Sequence, residues 1–268
     1  MTLNKKVAAL SEQVLQDLDM TNQAHKLDFY PCIGNELQAI GNYRWKLLIG
    51  LPFYFRFNSV KNIDKNEILL FGQHAPNWKS EDGKEFLRNL VLSDKAKKYA
   101  IAEQIKRGMA WTNSFFFDVG PFFASIYSAL IFFRQDFYYR KFKKSMRPPM
   151  RFAAAFGWAA VMYSVSLLLF SRLGELLGNE SVKEFLEDIK NRQDYVEGGL
   201  EYYCKMQKRN QIMRNFFGTD GSFYYKANGN VVSYLSAANS ITDMIEQLSQ
   251  IDRFDQADDK KTSVSGVL

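Results

Sequence analysis

The stretch "FAAAFGWAAVMYSVSLLLFS", from Phe152 to Ser171, runs for 20 residues without a charged side chain. A helix of that length covers about 30 Å, the thickness of a bilayer's hydrocarbon core. Helices buried in a soluble core are usually shorter. The run therefore predicts a transmembrane helix over 152–173, with Arg172 closing it at an interface its long side chain can reach. Gly157 and Ala160, with Ala153, Ala154, Ala155 and Ala159, give the segment a small-residue face suited to close helix contact in lipid, so Gly157 and Ala160 are its helix-packing candidates.

A second apolar run precedes it, "WTNSFFFDVGPFFASIYSALIFF", residues 111–133. It carries Asp118 and Pro121, and an acid inside a membrane segment is costly unless it faces protein or water. The reading that accommodates both starts the helix near Val119 and puts Pro121 in its first turn, where proline is tolerated. Spanning is expected, with re-entrant or interfacial placement as the rival. Trp111, Tyr138, Tyr139 and Trp158 are available as interfacial aromatics.

Between the two runs, residues 134–151 read "RQDFYYRKFKKSMRPPMR". Seven basic side chains (Arg134, Arg140, Lys141, Lys143, Lys144, Arg147 and Arg151) face a single acid, Asp136. The net charge of the whole chain is +6, so this connector holds the entire excess. A nucleic-acid-binding protein usually spreads its basic residues over a folded face. A basic loop between two apolar spans instead fixes topology: it stays on the side from which insertion occurs. No nucleic-acid partner is expected, and the lipid bilayer is. Both flanking soluble parts then lie on one side of the membrane.

The N-terminal part, 1–110, reads as α+β. Leu10–Leu18 has helical spacing with Ser11 as its cap. The stretches "YRWKLLIGLPFYFRF" and "NEILLFG" suggest strands. Asp94 is placed to cap a helix that buries Ala96, Tyr99, Ala100, Ala102 and Ile105. The C-terminal part, 174–250, is a long helical pattern, interrupted or bent near Gly198 and Gly199, then a small hairpin with turn signals at Asp220-Gly221 and Asn228-Gly229. Residues 251–268 are charged and small and read as a disordered tail. The N-terminus resembles neither a secretory signal nor an Arg-rich transit peptide.

Candidate chemistry is sparse. There are two histidines, His25 and His74, and His74 sits in a loop, "GQHAPNWKS". No glycine-rich phosphate loop and no G-x-S-x-G turn occur. Cys32 and Cys204 read as two free thiols or one disulfide. Glu180, Glu184, Glu187 and Asp188 form an acidic helical face, solvated by default. The element order (strands, helix, membrane hairpin, helix) parallels membrane zinc peptidases that carry H-E-x-x-H. At the metal-helix position, however, stands "AIAEQIKRG", with Glu103, Gln104 and Arg107 in the His, Glu and His slots. The expected fold is thus an α+β membrane protein, a helical transmembrane hairpin inserted in a mixed soluble domain, on a scaffold comparable to a zinc peptidase without its metal. No catalytic residue, metal or cofactor is expected.

A series of motifs, in order, carries a resemblance. These are "SEQVLQDL", "GQHAPNWKS", "LVLSDKAKKYAIAEQI", the two apolar runs, "GGLEYYCKM" and "FFGTDGSFYYKANGNVV". Together they resemble the transmembrane protein 177 family from about Ser11 to Val232. The positions that carry it are Gly72, Trp78, Ser80, Gly198, Gly199, Glu201, Tyr202, Gly218, Asp220, Gly221, Gly229 and Asn230. The resemblance implies a multi-pass protein of the mitochondrial inner membrane, its soluble part facing the intermembrane space. It implies a non-enzymatic role in which newly made cytochrome c oxidase subunit II and its assembly chaperones are bound and stabilised. Family members begin with a further N-terminal stretch containing a hydrophobic segment, and this sequence is expected to start beyond it. The alternatives are a divergent membrane metallopeptidase-like enzyme and a membrane protein whose basic loop binds anionic lipid such as cardiolipin.

Overall fold

The computed structural model describes residues 3–32, 37–43, 45–65, 68, 70, 77–112, 115–140, 148–232 and 240–265. Helix dominates. In chain order the elements are α1 (Lys5–Asp17), β1 (Leu27–Cys32), β2 (Gln38–Asn42), β3 (Lys46–Pro52), α2 (Glu81–Leu90), α3 (Asp94–Thr112), α4 (Phe115–Arg140), α5 (Pro148–Asp188), α6 (Arg192–Tyr224) and α7 (Ile241–Ser265).

Helix α1 starts earlier than its apolar spacing suggests. Asn4 is the cap, its side chain accepting from Lys6 N at 2.9 Å. Ser11, expected to cap, is buried in mid-helix and donates to Val7 O at 3.1 Å. The three strands form one small sheet in the order β1-β3-β2, with β1 parallel and β2 antiparallel to β3. Strand β3 gives way to a 3-10 turn over Phe53–Arg56, so the last third of "YRWKLLIGLPFYFRF" leaves the sheet. Most of "NEILLFG" lies outside the described residues.

Ser80 caps α2, its Oγ accepting from Gly83 N at 3.1 Å. Helix α3 is the central element. Ser93, in place of the expected Asp94, caps it by accepting from Ala96 N at 3.1 Å. Ala96, Tyr99, Ala100, Ala102 and Ile105 are all buried, as their spacing predicts. The core joins α3 to β3, α2, the last turns of α5, and α6, through Leu47, Ile49, Tyr54, Phe86, Val182, Phe185, Tyr202 and Tyr203 among others.

Helix α6 runs straight through Gly198 and Gly199, where a bend was expected, and breaks instead at Gly218 (φ 54°). There only a residue without a Cβ turns the chain at no cost. Asp220 and Gly221 are helical. The turn forms at the second signal: Tyr225 bridges Val231, Lys226 N donates to Asn230 O at 2.8 Å, and Gly229 sits at φ 81°. Helix α7 continues to Ser265, across residues whose composition reads as a disordered tail.

Candidate functional site: an apolar two-helix arm and its base

Helices α4 and α5 pack on each other and leave the rest of the molecule as an arm. At 41 residues, α5 is about 60 Å long. Its first two-thirds project from the core, and its last turns (Val182, Phe185, Leu186) are buried in it. The break expected near residue 173 is absent, because the sequence from Arg172 onward ("RLGELLGNESVKEFLED") keeps helical spacing and holds no proline. Helix α4 begins at Phe115, several residues before Val119. Pro121 therefore lies inside the helix, where it removes the hydrogen bond that would reach the Phe117 carbonyl. Trp111 belongs to the end of α3.

The arm's outward surface is apolar. Phe122, Phe123, Tyr127 and Leu130 on α4, and Phe156, Trp158, Val161, Leu169, Leu173, Leu176 and Leu177 on α5, are all exposed. Among the described residues one helix, over Ala153–Asp188, is long and apolar enough to cross a membrane, and α4 contributes a shorter apolar segment, Gly120–Ile131. Gly157 and Ala160 are on the outward side. A Cβ on Gly157 would meet nothing within 4 Å, so neither residue's contact with α4 explains its small size.

The basic connector is shorter than its composition suggests, because helix claims both of its ends. Arg134 is exposed on α4 and Arg140 is the last residue of α4; Arg151 falls in the first turn of α5, which opens on Pro148 and Pro149. Prolines are at home in that first turn. Lys141, Lys143, Lys144 and Arg147 lie outside the described residues, as do Gly72 and His74.

Beneath the arm, α3, α5 and α6 meet in a buried polar junction. Glu103 accepts from Arg107 Nε at 2.7 Å, one helical turn along α3, and from the Tyr203 hydroxyl of α6. A Cβ on Gly178 of α5 would stand 3.5 Å from Arg107 Cγ. Burial, and then the Glu103 carboxylate, push the hydroxyls of Tyr99 and Tyr203 well up. Burial pulls the Arg107 guanidinium down, but Glu103 outweighs it and the net direction is up. Two of the three zinc-helix slots are therefore filled by an ion pair. Both bonds fall on the same oxygen of Glu103, Oε1, which is thereby committed to a guanidinium and a phenol, and Gln104 adds no base. Among the described residues no group of three His, Cys, Asp or Glu side chains is placed to hold a metal ion.

The family-motif positions are mostly structural. Gly198 and Gly199 let α6 lie directly on α3: a Cβ on Gly198 would be 2.4 Å from Lys95 O, and one on Gly199 would be 2.8 Å from the Tyr99 ring. Glu201 accepts from Ser93 N at 3.0 Å and Lys205 Nζ at 2.7 Å, tying α6 to the start of α3. Its burial raises the carboxyl, but the Lys205 and Ser93 donors hold it below the usual range. Tyr202 is core. Trp78 packs against Phe86 with ring centroids 6.0 Å apart. Asn230 pairs with Thr242, accepting from its N at 3.2 Å and donating to its Oγ1 at 3.1 Å. A cleft of about 380 Å³ between α1, α3 and α6 is lined by Lys6, Lys95 and Lys98. Each of these lysines is already paired, with Asp94, with Asp194 and Glu197, and with Asp17. Cys32 and Cys204 are not joined in a disulfide.

An apolar arm mounted on a mostly helical body with a small sheet defines a helical membrane protein. The model of the family described as "Transmembrane protein 177" matches residues 39–266, and the chain belongs to that family. It is 27% identical over 197 residues to Transmembrane protein 177 of Danio rerio, covering 68% of this chain and 57% of the relative. The corresponding figures are 27% over 205 residues for the Rattus norvegicus protein and 25% over 192 for the Homo sapiens protein, each covering 69% of this chain and 57% of the relative. The chain thus spans less than two-thirds of the length of these relatives, whose names contain no enzymatic term. No solved structure matches it.

Proposed function

We propose that this chain is a non-enzymatic assembly factor of the mitochondrial inner membrane that holds newly made cytochrome c oxidase subunit II together with its assembly chaperones. Helices α4 and α5 both span the bilayer as a hairpin, the basic connector stays on the matrix side, and the body faces the intermembrane space. The observation that carries the reading is the exposed apolar face of α5, with Gly157 and Ala160 set among Phe156, Trp158 and Val161. A Cβ on Gly157 would meet nothing within 4 Å and Ala160 is exposed, so small residues stand where another helix can approach closely. The Glu103–Arg107–Tyr203 junction supports a holding role, since its groups satisfy one another.

Affinity purification from detergent-solubilised mitochondria, followed by mass spectrometry, tests this. Oxidase subunit II and its chaperones should co-purify with the native chain. Gly157→Leu with Ala160→Leu should reduce their recovery while the protein stays in the carbonate-resistant pellet. Unchanged recovery would count against α5 as the contact, and absence of those partners from the native sample would sink the assembly reading.

A further inference from the structure

Strands β2 and β3 run along α3, and the residue that enters β3 is an aromatic, Trp45. Three contacts set a vertical scale. Phe57 O accepts from Lys97 Nζ at 3.0 Å near the start of α3. A Cβ on Gly108, near the end of α3, would lie 2.7 Å from Leu47 Cδ2 and 3.4 Å from Ala39 Cβ. The chain from Leu47 to Phe57 therefore runs antiparallel to α3. Helix α5 is also antiparallel to α3, because Phe185 faces Tyr99 (ring centroids 6.4 Å) and Gly178 faces Arg107.

From Leu47 back to Trp45, the turn residue that precedes β3, is two residues, at most about 6–7 Å. From Gly108 on to Thr112 is four helical residues, about 6 Å. Trp45 thus comes level with Thr112, where α3 ends ahead of the apolar arm. Thr112 is five residues past Arg107, and five residues before Gly178 on the antiparallel α5 is Leu173, beside Arg172. By this count Trp45 stands at about the level of Arg172 and Leu173 along α5, where the uncharged run ends.

Trp45 is 84% exposed, the most exposed large hydrophobic residue among those described, and Ile40 of the neighbouring strand is 54% exposed. Lys46, next to Trp45, is exposed and paired with Asp28 at 2.7 Å. Tryptophan is enriched at the headgroup level, where its ring is buried while its N–H stays hydrated, and a neighbouring lysine suits the same layer.

We propose that the tip of the β2–β3 hairpin is a further membrane contact, with Trp45 seated in the headgroup layer of the leaflet on which the body rests. The body is then held to the bilayer at two places, the arm and the hairpin tip, which fixes its rotation about α5. The proposal rests on α5 crossing the membrane as in the preceding section.

The test uses full-length protein reconstituted in phosphatidylcholine vesicles, with two single-tryptophan variants. One retains Trp45 (Trp78→Phe, Trp111→Phe, Trp158→Phe) and the other retains Trp158. Lipids brominated near the headgroup should quench Trp45 strongly and lipids brominated deep in the chain should quench it little, while Trp158 responds to the deep label. Trp158 stands six residues, or about 9 Å, inside the uncharged run and so deeper than the interfacial place its residue type suggests. Aqueous iodide should leave Trp45 bright. Trp45 quenched by iodide and indifferent to bromine, with Trp158 still quenched, overturns the hairpin contact and leaves the spanning helix standing. Trp45 shielded from both quenchers also overturns it, because protein then covers the tip. If Trp158 too ignores the brominated lipids, the spanning reading itself fails.

Discussion

Two glycines inside long helices should respond in opposite directions to the same substitution. In Gly198→Ala the new methyl would sit 2.4 Å from Lys95 O, 2.6 Å from Lys95 C and 3.0 Å from Ala96 N. Those are backbone atoms at the capped start of α3, so no side chain can swing aside. Restoring ordinary contact requires α6 to move off α3 by roughly 1 Å. Overpacking of this kind costs about 1–3 kcal/mol, with the upper end apt where backbone meets backbone. Helix propensity returns about 1 kcal/mol. The net loss is about 1–2 kcal/mol, or a fall in Tm of about 5 °C for a chain of this size. In Gly157→Ala the methyl meets nothing within 4 Å, so only the propensity gain remains and Tm should hold or rise by a few degrees. Thermal unfolding of both variants in one detergent, followed by far-UV circular dichroism, makes the comparison. A Gly198→Ala protein melting at or above the native chain, or equal shifts in both variants, would refute the close-approach reasoning.

The polar junction and the buried tyrosines give two more expectations. Glu103→Gln leaves Arg107 without its anion and should cost about 3 kcal/mol in denaturant midpoint analysis, whereas Glu103→Leu, Arg107→Met and Tyr203→Phe together should recover most of it; a triple variant no better than the single one would contradict this account. Tyr99, Tyr195, Tyr202 and Tyr203 all have pKa values raised above their ordinary 10.0, by burial first and nearby carboxylates or phenols second. A raised value in the folded state means their contribution to stability is intact below pH 10 and lost as pH climbs past it. Phenolate absorbance and loss of helix signal should therefore rise together above that pH, and tyrosines titrating near 10 with the helix signal unchanged would contradict the burial.

What the sequence made legible was what depends on neighbours a few residues away. The uncharged run, the buried face of α3 and the Asn228-Gly229 turn are local patterns, and the structure carries each of them. The errors came where a local signal had a tertiary explanation. Gly198-Gly199 reads as a helix breaker, yet its missing side chains make room for α3, and the tertiary contact overrides the propensity. Asp220-Gly221 reads as a turn, yet the break falls at Gly218, two residues earlier. The parallel pairing of β1 with β3 joins residues about 20 apart in sequence and leaves no short-range trace.

The junction illustrates how a chemical motif can be present in outline and occupied by structure. Positions one turn apart on a helix facing the base of an arm suit two imidazoles around a metal. They suit equally an acid and a guanidinium that satisfy each other, and the buried pair with Tyr203 then ties α3 to α6 while Arg107 packs beside Gly178 of α5. Glu103 cannot be left unpaired at 6% exposure without a large penalty, so Arg107 and Tyr203 are required wherever it stands. The base of α5 is seated there by Gly178 beside Arg107 and by Phe185 against Tyr99, and the same helix runs unbroken to Gly157, about 30 Å away.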